Sequence, residues 1–295
     1  MKLILLGAGA SYGSGPAEPY APPLGNTLFN ELEKRGGIAA TIPNEIKVLF
    51  RENFEQGMAA YTEFTNDNTI GFQRELAHYL ASFTPLPGNT YIDLIKEFGI
   101  KNTVYVSLNY DLLFELSASL VNINTCYSTE KPDNYVSLLK IHGSCNFWPQ
   151  IPVGQMDGVT IENCNVAIEA PVNSLNQRET LYRCEKEKGL APAIALYAEG
   201  KSVKVSPSYV NRQLAEWKVS ASKATKIAII GVKVHEVDDH VWDIIGKSKA
   251  KVWYVGFSSD KSSFEVWRSN HKKKNAFFIE SDFSKCIDIL KKRFK

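Results

Sequence analysis

Short apolar runs recur along the chain, and each is followed by small or polar residues. The run from Lys2 to Leu6 has apolar residues at successive positions, as in a parallel strand that is buried on both faces. Thr103 to Ser107 and Val136 to Ile141 show the same pattern. The pattern therefore predicts three early strands with polar groups at their carboxyl ends.

The last third of the chain alternates between two kinds of pattern. Continuous apolar runs predict strands over Lys226–Ile230, Lys251–Val255 and Ala276–Ile279. The helices predicted beside them, from apolar residues at helical spacing, are Asp238–Gly246, Ser262–Ser269 and Asp282–Phe294. This alternation predicts an α/β protein with a Rossmann-like, doubly wound parallel sheet.

Two segments interrupt the alternation. Residues from about 26 to 98 have periodic apolar positions and predict a helical insertion, which follows a Gly- and Pro-rich loop over residues 12–25. Residues from about 147 to 200 are weakly patterned and predict a small irregular insertion. We therefore expect a single domain over residues 1–295 that carries both insertions.

Composition excludes several functional classes. The 295 residues are 44% hydrophobic and 22% charged, with a formal net charge of +2, which is ordinary for a globular protein. We therefore expect no specific contact with nucleic acid. No apolar stretch approaches the roughly 20 residues that span a bilayer, and we expect a cytoplasmic protein without membrane contact.

The five cysteines do not have the spacing of a metal site. None lies in a C-x-x-C pair, so a zinc site is not expected, and no metal is predicted. The odd number fits reduced thiols in the cytoplasm. We therefore expect the small insertion to be a lobe without zinc.

Three polar clusters follow the three early strands: Gly7 to Ser11, Ser107 to Asp111, and His142 to Ser144. The carboxyl ends of parallel strands meet at one edge of a sheet, where ligands of doubly wound folds bind. We therefore expect these clusters to converge on one site.

Each cluster also has a simpler interpretation. Gly7 and Gly9 permit close approach of backbone N–H groups to a diphosphate, but a plain glycine turn fits equally well, because the third glycine of a dinucleotide fingerprint is replaced by Tyr12. His142 is either a general base or a structural histidine. Asp111 is either a ligand or the cap of a helix over residues 112–120.

The order G-A-G-A-S, S-L-N-Y-D and I-H-G-S resembles the sirtuin superfamily, and it is most similar to the divergent bacterial sirtuin-like proteins of antiphage defence. Two later segments extend the resemblance, V-S-P-S-Y over residues 205–209 and I-I-G-V-K over residues 229–233. The resemblance implies an NAD+ site. The implied NAD+-binding residues are Gly7, Ala8, Gly9, Ser11, Gly231, Lys233 and Asp238, and the implied catalytic residues are Asn109, Asp111 and His142.

The sequence also departs from the sirtuin pattern. The four zinc cysteines of the deacylating members are absent, which favours water over an acylated lysine as the nucleophile. The arginine that follows the glycine loop in those members has no counterpart, although Arg35 or Arg51 could replace it in space. Val232 and Lys233 stand where the divergent group often has tyrosine and serine.

We therefore expect an NAD+ glycohydrolase that depletes NAD+ in antiphage defence. Constant activity would harm the host, so control by homo-oligomerisation or by a partner protein of the same defence system is expected. Two alternatives stay open. The first is an NAD-dependent deacylase or ADP-ribosyltransferase, and the second is a non-catalytic nucleotide-sensing subunit of a complex.

Overall fold

The computed structural model describes residues 1–159, 167–195, 203–235 and 238–294, the side chain of Asn26 excepted. In chain order the strands of these residues are β1 (Lys2–Leu6), β2 (Ala17–Glu18), β3 (Thr84–Pro85), β4 (Thr103–Ser107), β5 (Asn124–Cys126), β6 (Tyr135–Lys140), β7 (Phe147–Pro149), β8 (Val172–Ser174), β9 (Lys226–Ile230), β10 (Lys251–Gly256) and β11 (Ala276–Glu280).

The helices of the same residues are α1 (Ala8–Tyr12), α2 (Gly25–Lys34), α3 (Gly37–Thr41), α4 (Asn44–Glu52), α5 (Phe54–Phe64), α6 (Ile70–Ala81), α7 (Thr90–Phe98), α8 (Leu113–Leu120), α9 (Gln177–Lys186), α10 (Pro207–Lys223), α11 (Asp239–Lys247), α12 (Lys261–Asn270) and α13 (Phe283–Arg293).

Seven strands form one parallel sheet in the order β11-β10-β9-β1-β4-β6-β5. The predicted doubly wound, Rossmann-like α/β fold is therefore confirmed. From β1 the chain moves to β4 on one side, whereas β9 and the later strands lie on the other, so the strand order reverses at β1. Such a reversal is where doubly wound sheets open a crevice for a ligand.

The register brings the carboxyl ends of the central strands to one level. Leu6 of β1 is aligned with Ser107 of β4 and with Ile230 of β9. Ser107 is in turn aligned with Lys140 of β6. The loops that follow these four strands therefore start side by side.

The central strands are continuously apolar because helices cover both faces of the sheet. Leu3 and Leu5 of β1 face one core, which includes Trp217 of α10 and Trp242 of α11. The other face of the sheet packs on a second core that includes residues of α7, α8 and α13. All seven strands of this sheet except the polar edge strand β5 fall within two residues of a predicted strand.

The helical segment predicted over residues 26–98 is not one unit of packing. Helices α2 to α6 pack on one another, whereas α7 packs on α8 and α13 beside the sheet. The helices from Gly25 to Ala81 thus form a layer of their own, which shares one hydrophobic core with that face of the sheet.

The segment predicted as irregular over residues 147–200 contains regular structure where it is described. β7 and β8 form an antiparallel pair, and α9 packs against α6. Asn176 and Glu179 form a capping box at the start of α9, a signal that is visible in the sequence. Residues 160–166 and 196–200 of this segment, with Cys164, lie outside the described residues.

None of the helices within the described residues combines the length and the apolar character needed to cross a membrane.

Candidate functional site

The glycine loop after β1 packs tightly against the end of β9. A Cβ atom on Gly7 would lie 2.5 Å from the Gly231 oxygen, and one on Gly9 would lie 2.9 Å from the Gly231 Cα. Gly231 has a φ of +65°, and a Cβ there would lie 2.0 Å from the Ala10 nitrogen. These three glycines are therefore required by the close approach of two backbones.

This packing engages the backbone donors that the sequence assigns to a diphosphate. The Gly7 N–H donates to the Ile230 oxygen at 3.0 Å, and the Gly9 N–H donates to the Gly231 oxygen at 2.9 Å. Both groups are thus satisfied within the protein. Ala8, between them, is exposed and lines a cavity described below.

Four buried side chains, which we call the serine cluster (Ser11, Tyr91, Asn109 and Asp111), join the loops after β1 and β4. The Ser11 hydroxyl donates to Asp111 Oδ2 at 2.8 Å and accepts from Asn109 Nδ2 at 2.9 Å. Its only hydrogen is then used, so the Tyr91 hydroxyl at 3.0 Å is the donor to Ser11. Asn109 Nδ2 also donates to the Gly7 oxygen at 2.9 Å.

Burial and nearby charge keep the Tyr91 hydroxyl of this cluster protonated, and hydrogen bonds fix the orientation of the Asn109 amide. Burial raises the pKa of the Tyr91 hydroxyl well above its ordinary value, and the Asp111 carboxylate adds to the rise. Tyr91 therefore stays protonated and donates. Both hydrogens of the Asn109 amide are engaged, so its carbonyl oxygen is the atom that it can present to a ligand.

Asp111 is also the cap that the sequence predicts. Its Oδ1 accepts a hydrogen bond from the Leu113 nitrogen at 3.0 Å, at the start of α8. One carboxylate oxygen thus caps a helix and the other holds Ser11. The two interpretations of Asp111, as a cap and as a residue of the site, are compatible.

A buried ion pair supports the loop that carries Asp111. The Lys140 ammonium at the end of β6 lies 3.2 Å from Glu115 Oε1 and donates to the Asp111 backbone oxygen at 2.6 Å. Burial raises the pKa of the Glu115 carboxyl, and Lys140 offsets part of that rise. This pair was not predicted, although a lysine at the end of an apolar strand is a visible signal in the sequence.

A cavity of about 250 Å³ opens beside the serine cluster. Ser11, Asn109 and Asp111 line its floor, with Ala8 beside them. Another wall comes from the Gly- and Pro-rich loop and from the starts of α2 and α5. The residues of that wall are Pro22, Pro23, Gly25, Leu28, Phe54 and Glu55.

The charge of the cavity is of one sign. Glu55 and Asp111 are carboxylic acids, and among the described residues that line the cavity none is basic. Apolar walls strengthen the field of these carboxylates. Such a cavity favours a cationic or neutral group and disfavours a phosphate.

His142 belongs to a second group, the histidine cluster (His142, Asp238 and His240). His142 Nε2 lies 2.7 Å from His240 Nε2, and one ligand atom of each of the three residues lies within 4.8 Å of those of the other two. His142 follows β6, whereas Asp238 precedes the first residue of α11 and His240 lies in its first turn. Rings that are 98 residues apart in sequence therefore meet.

The glycine after His142 has a steric reason. Gly143 has a φ of +81°, and a Cβ there would lie 2.1 Å from the Ala193 oxygen. The His142 oxygen accepts from the Ala195 nitrogen at 2.8 Å. The H-G pair of the sequence is thus the point where the chain after β6 crosses the segment 193–195.

Tyr110 lies between the two clusters. Its hydroxyl donates to the Ala195 oxygen at 2.7 Å, and both Tyr110 and Ala195 line the cavity. Burial raises the pKa of Tyr110, and the carboxylates of Glu55 and Asp238 add to the rise. Both acidic groups are therefore near this hydroxyl, although His142 itself is not among the residues that line the cavity.

The remaining predicted residues lie outside both clusters. Lys233 is exposed. Arg35 contacts His78 and the Tyr79 ring, and Arg51 pairs with Glu33 at 2.6 Å, so neither replaces the missing arginine at the cavity. Conversely, Tyr91, Glu55 and His240 were not predicted as site residues, and they reach the site from α7, α5 and α11.

No protein-family model matches this chain, and no curated protein matches it. The sirtuin resemblance therefore depends on the short motifs quoted above.

Proposed function

We propose that this protein is an NAD+ glycohydrolase, which converts NAD+ and water to nicotinamide, ADP-ribose and a proton. One observation carries the proposal. Asn109 and Asp111, which the sirtuin resemblance assigns to catalysis, line an acidic cavity at the reversal point of a doubly wound parallel sheet.

The charge of the cavity suits the nicotinamide end of NAD+. The nicotinamide ring of NAD+ is cationic, and the positive charge moves to the ribose as the glycosidic bond stretches towards an oxocarbenium-like transition state. The Asp111 carboxylate is held by Ser11 and by the Leu113 nitrogen before the substrate enters, so it stabilises that charge without reorganising, and Glu55 adds a second carboxylate to the lining of the cavity. The nicotinamide then leaves as a neutral base.

Asn109 places the nucleophile. Its amide hydrogens are held by Gly7 and Ser11, so the orientation of the amide is set and its carbonyl oxygen accepts from a water or a ribose hydroxyl. Holding a water against the ribose carbon removes much of the entropic cost of attack.

His142 completes the reaction as the proton acceptor. As the water oxygen bonds to the ribose carbon, the carbon–nitrogen bond breaks and its electron pair leaves with nicotinamide. The proton of the attacking water passes to His142 and then to solvent. This role requires that His142 approach the bound ribose from its position beside Ala195 at the cavity wall.

The rest of the dinucleotide lies outside the cavity. A volume of about 250 Å³ is smaller than the roughly 300–1,000 Å³ of a pocket for a drug-sized ligand. In this proposal the diphosphate passes the exposed Ala8 outside the cavity, and Gly231 and Lys233 lie on the adenosine side, whereas Asp238 lies beside His142. Lys233 there meets a phosphate as a point charge.

The proposed biological role is the one that the sirtuin resemblance implies. We propose that the enzyme depletes NAD+ in the cytoplasm during antiphage defence, and that homo-oligomerisation or a partner protein of the same system controls it. The absence of the four zinc cysteines supports water rather than an acylated lysine as the nucleophile.

The test is separation of the products of NAD+ by HPLC, with the full-length protein and any proposed activator. The proposal predicts equal amounts of nicotinamide and ADP-ribose without any acceptor. Release that requires an acylated peptide or an acceptor protein would instead show a deacylase or ADP-ribosyltransferase. Nucleotide binding without turnover, unchanged in His142→Ala, would show a sensing subunit.

A further inference from the structure

We infer that His142, Asp238 and His240 form a binding site for one divalent transition-metal ion of the zinc class. The spacing of the cysteines in the sequence predicts no metal site. The structure instead brings together two imidazoles and a carboxylate from the ends of β6 and α11.

The geometry is close to that of a metal site. The two Nε2 atoms are 2.7 Å apart, and one ligand atom from each of the three residues lies within 4.8 Å of the others. Two imidazole ligands at a Zn–N distance of about 2.05 Å in a tetrahedral sphere are about 3.3 Å apart. A rotation that opens the pair by about 0.6 Å therefore admits the ion.

The hydrogen between the two imidazole nitrogens marks the position that a cation would occupy. Two ring nitrogens at 2.7 Å require a hydrogen between them, since one must donate and the other accept. A metal ion takes the position of that hydrogen, and both nitrogens then act as neutral ligands. The Asp238 carboxylate supplies negative charge and a third ligand.

The backbone on both sides of the pair is held independently of the rings. Trp217 Nε1 donates to the His240 oxygen at 3.2 Å, and the Ala195 nitrogen donates to the His142 oxygen at 2.8 Å. Binding therefore needs side-chain rotation and not a rearrangement of the fold, which lowers its cost.

Two imidazoles and a carboxylate select the class of ion. Imidazole suits zinc, copper, iron and nickel, whereas calcium and magnesium prefer oxygen ligands. Three protein ligands leave a fourth position for water. Among the described residues this is the group of histidine, cysteine and acidic side chains that lies close enough to hold an ion.

Occupation of the site has a functional consequence that depends on the proposed function. A metal ion on His142 Nε2 holds this imidazole beside Asp238 and His240, and therefore away from the ribose that it must approach to accept the proton during NAD+ cleavage. Zinc is thus expected to inhibit the glycohydrolase, and a chelator is expected to restore it.

Binding itself is tested without NAD+. The full-length, untagged chain, with Cys126→Ser and Cys164→Ser to remove two thiols that could bind zinc, is titrated with Zn²⁺ in competition with a chromophoric chelator. We expect one equivalent to bind, with affinity reduced by about 100-fold or more in His240→Asn and in Asp238→Asn, since each removes a ligand. His78→Asn, which removes a histidine of α6, leaves the affinity unchanged.

Thermal unfolding gives a second readout for the same variants. Zn²⁺ is expected to raise the melting temperature of the parent chain and of His78→Asn, but not of His240→Asn or Asp238→Asn. Circular dichroism of the metal-free variants checks that they are folded. Zinc binding of equal affinity in the parent, His240→Asn and Asp238→Asn, or no binding to the folded parent, would overturn the inference.

The two proposals fail separately. Zinc binding is measured without NAD+, and glycohydrolase activity is measured in the presence of a chelator. Binding with no turnover in chelator would leave the metal site standing and contradict the proposed function, and turnover without binding would do the reverse.

Discussion

The serine cluster and the histidine cluster lie at the carboxyl edge of the same sheet, but they are built differently. In the serine cluster each polar atom of Ser11 is used, and Asp111 bonds to both a side chain and the start of a helix. In the histidine cluster the contact between the two rings depends on one hydrogen between two nitrogens.

The serine cluster is therefore a rigid support, whereas the histidine cluster can exchange a proton or a metal ion. A buried network in which every group is satisfied holds one geometry and is costly to disturb. A pair of imidazoles can gain or lose a proton or a metal without loss of the fold. We infer that the serine cluster holds the cavity in shape, while the histidine cluster carries the group that changes state.

The largest effect is expected where the glycine loop that carries Ser11 meets β9. Gly231→Ala places a Cβ 2.0 Å from a backbone nitrogen and forces alanine to a φ of +65°. We expect the free energy of unfolding to fall by about 3 kcal/mol or more, from overpacking and left-handed strain together. Chemical denaturation measures this, with Gly25→Ala as control because nothing lies within 4 Å of its added Cβ. Equal stability of the two variants would contradict the packing described here.

The next effect tests the rigidity of the serine cluster directly. Ser11→Ala leaves Asp111 Oδ2 and the Tyr91 hydroxyl without a buried partner, so we expect a loss of about 2 kcal/mol in the free energy of unfolding. Ser222→Ala is the matched control, because its exposed hydroxyl bonds only to a carbonyl of its own helix. A loss in Ser11→Ala no larger than in Ser222→Ala would show that the cluster does not support the fold.

A smaller effect distinguishes charge from hydrogen bonding in the cavity. Glu55→Gln keeps the shape of the side chain and removes its charge, so we expect kcat/KM for NAD+ to fall by about tenfold as the cationic transition state loses stabilisation. Glu52→Gln, at the exposed end of α4, is expected to change kcat/KM by less than about twofold, since solvent screens its charge. Steady-state kinetics check both, and equal values would remove the acidic cavity from the mechanism.

The smallest effect tests the other half of the comparison. His240→Asn without metal is expected to lower the free energy of unfolding by about 1 kcal/mol or less, because the hydrogen bond to His142 that it removes is only part-buried. Denaturation in the presence of a chelator measures this. A loss as large as that of Ser11→Ala would mean that the histidine cluster is a structural support as well.

The sheet could be predicted because its strands are buried on both faces. Lys2–Leu6 and Lys226–Ile230 are continuous apolar runs bounded by glycine or polar residues, and such runs have few other interpretations. The edge strand Asn124–Cys126 is short and polar, so periodicity does not reveal it. Helix α9 was not predicted, although the asparagine and glutamate of its capping box are visible in the sequence.

The site could be predicted only in part, because some of its residues that are in contact lie far apart in the sequence. Asn109, Asp111 and His142 follow strands, and the parallel sheet places such residues at one edge. Tyr91 reaches Ser11 across 80 positions, and His240 reaches His142 across 98, from helices whose packing the local pattern does not specify. For the same reason the sequence does not reveal that the Gly7 and Gly9 N–H groups donate to the Ile230 and Gly231 oxygens at the end of β9.

The most direct measurement is the rate of nicotinamide release from NAD+, followed by HPLC in chelator, for Asn109→Ala and His142→Ala beside matched controls. Asn173→Ala removes an exposed asparagine of β8, and His78→Ala removes a histidine of α6. We predict that the parent and both controls hydrolyse NAD+ at equal rates, and that each site variant is slower by about 100-fold or more. Site variants that are folded and as fast as the controls would contradict the proposed function.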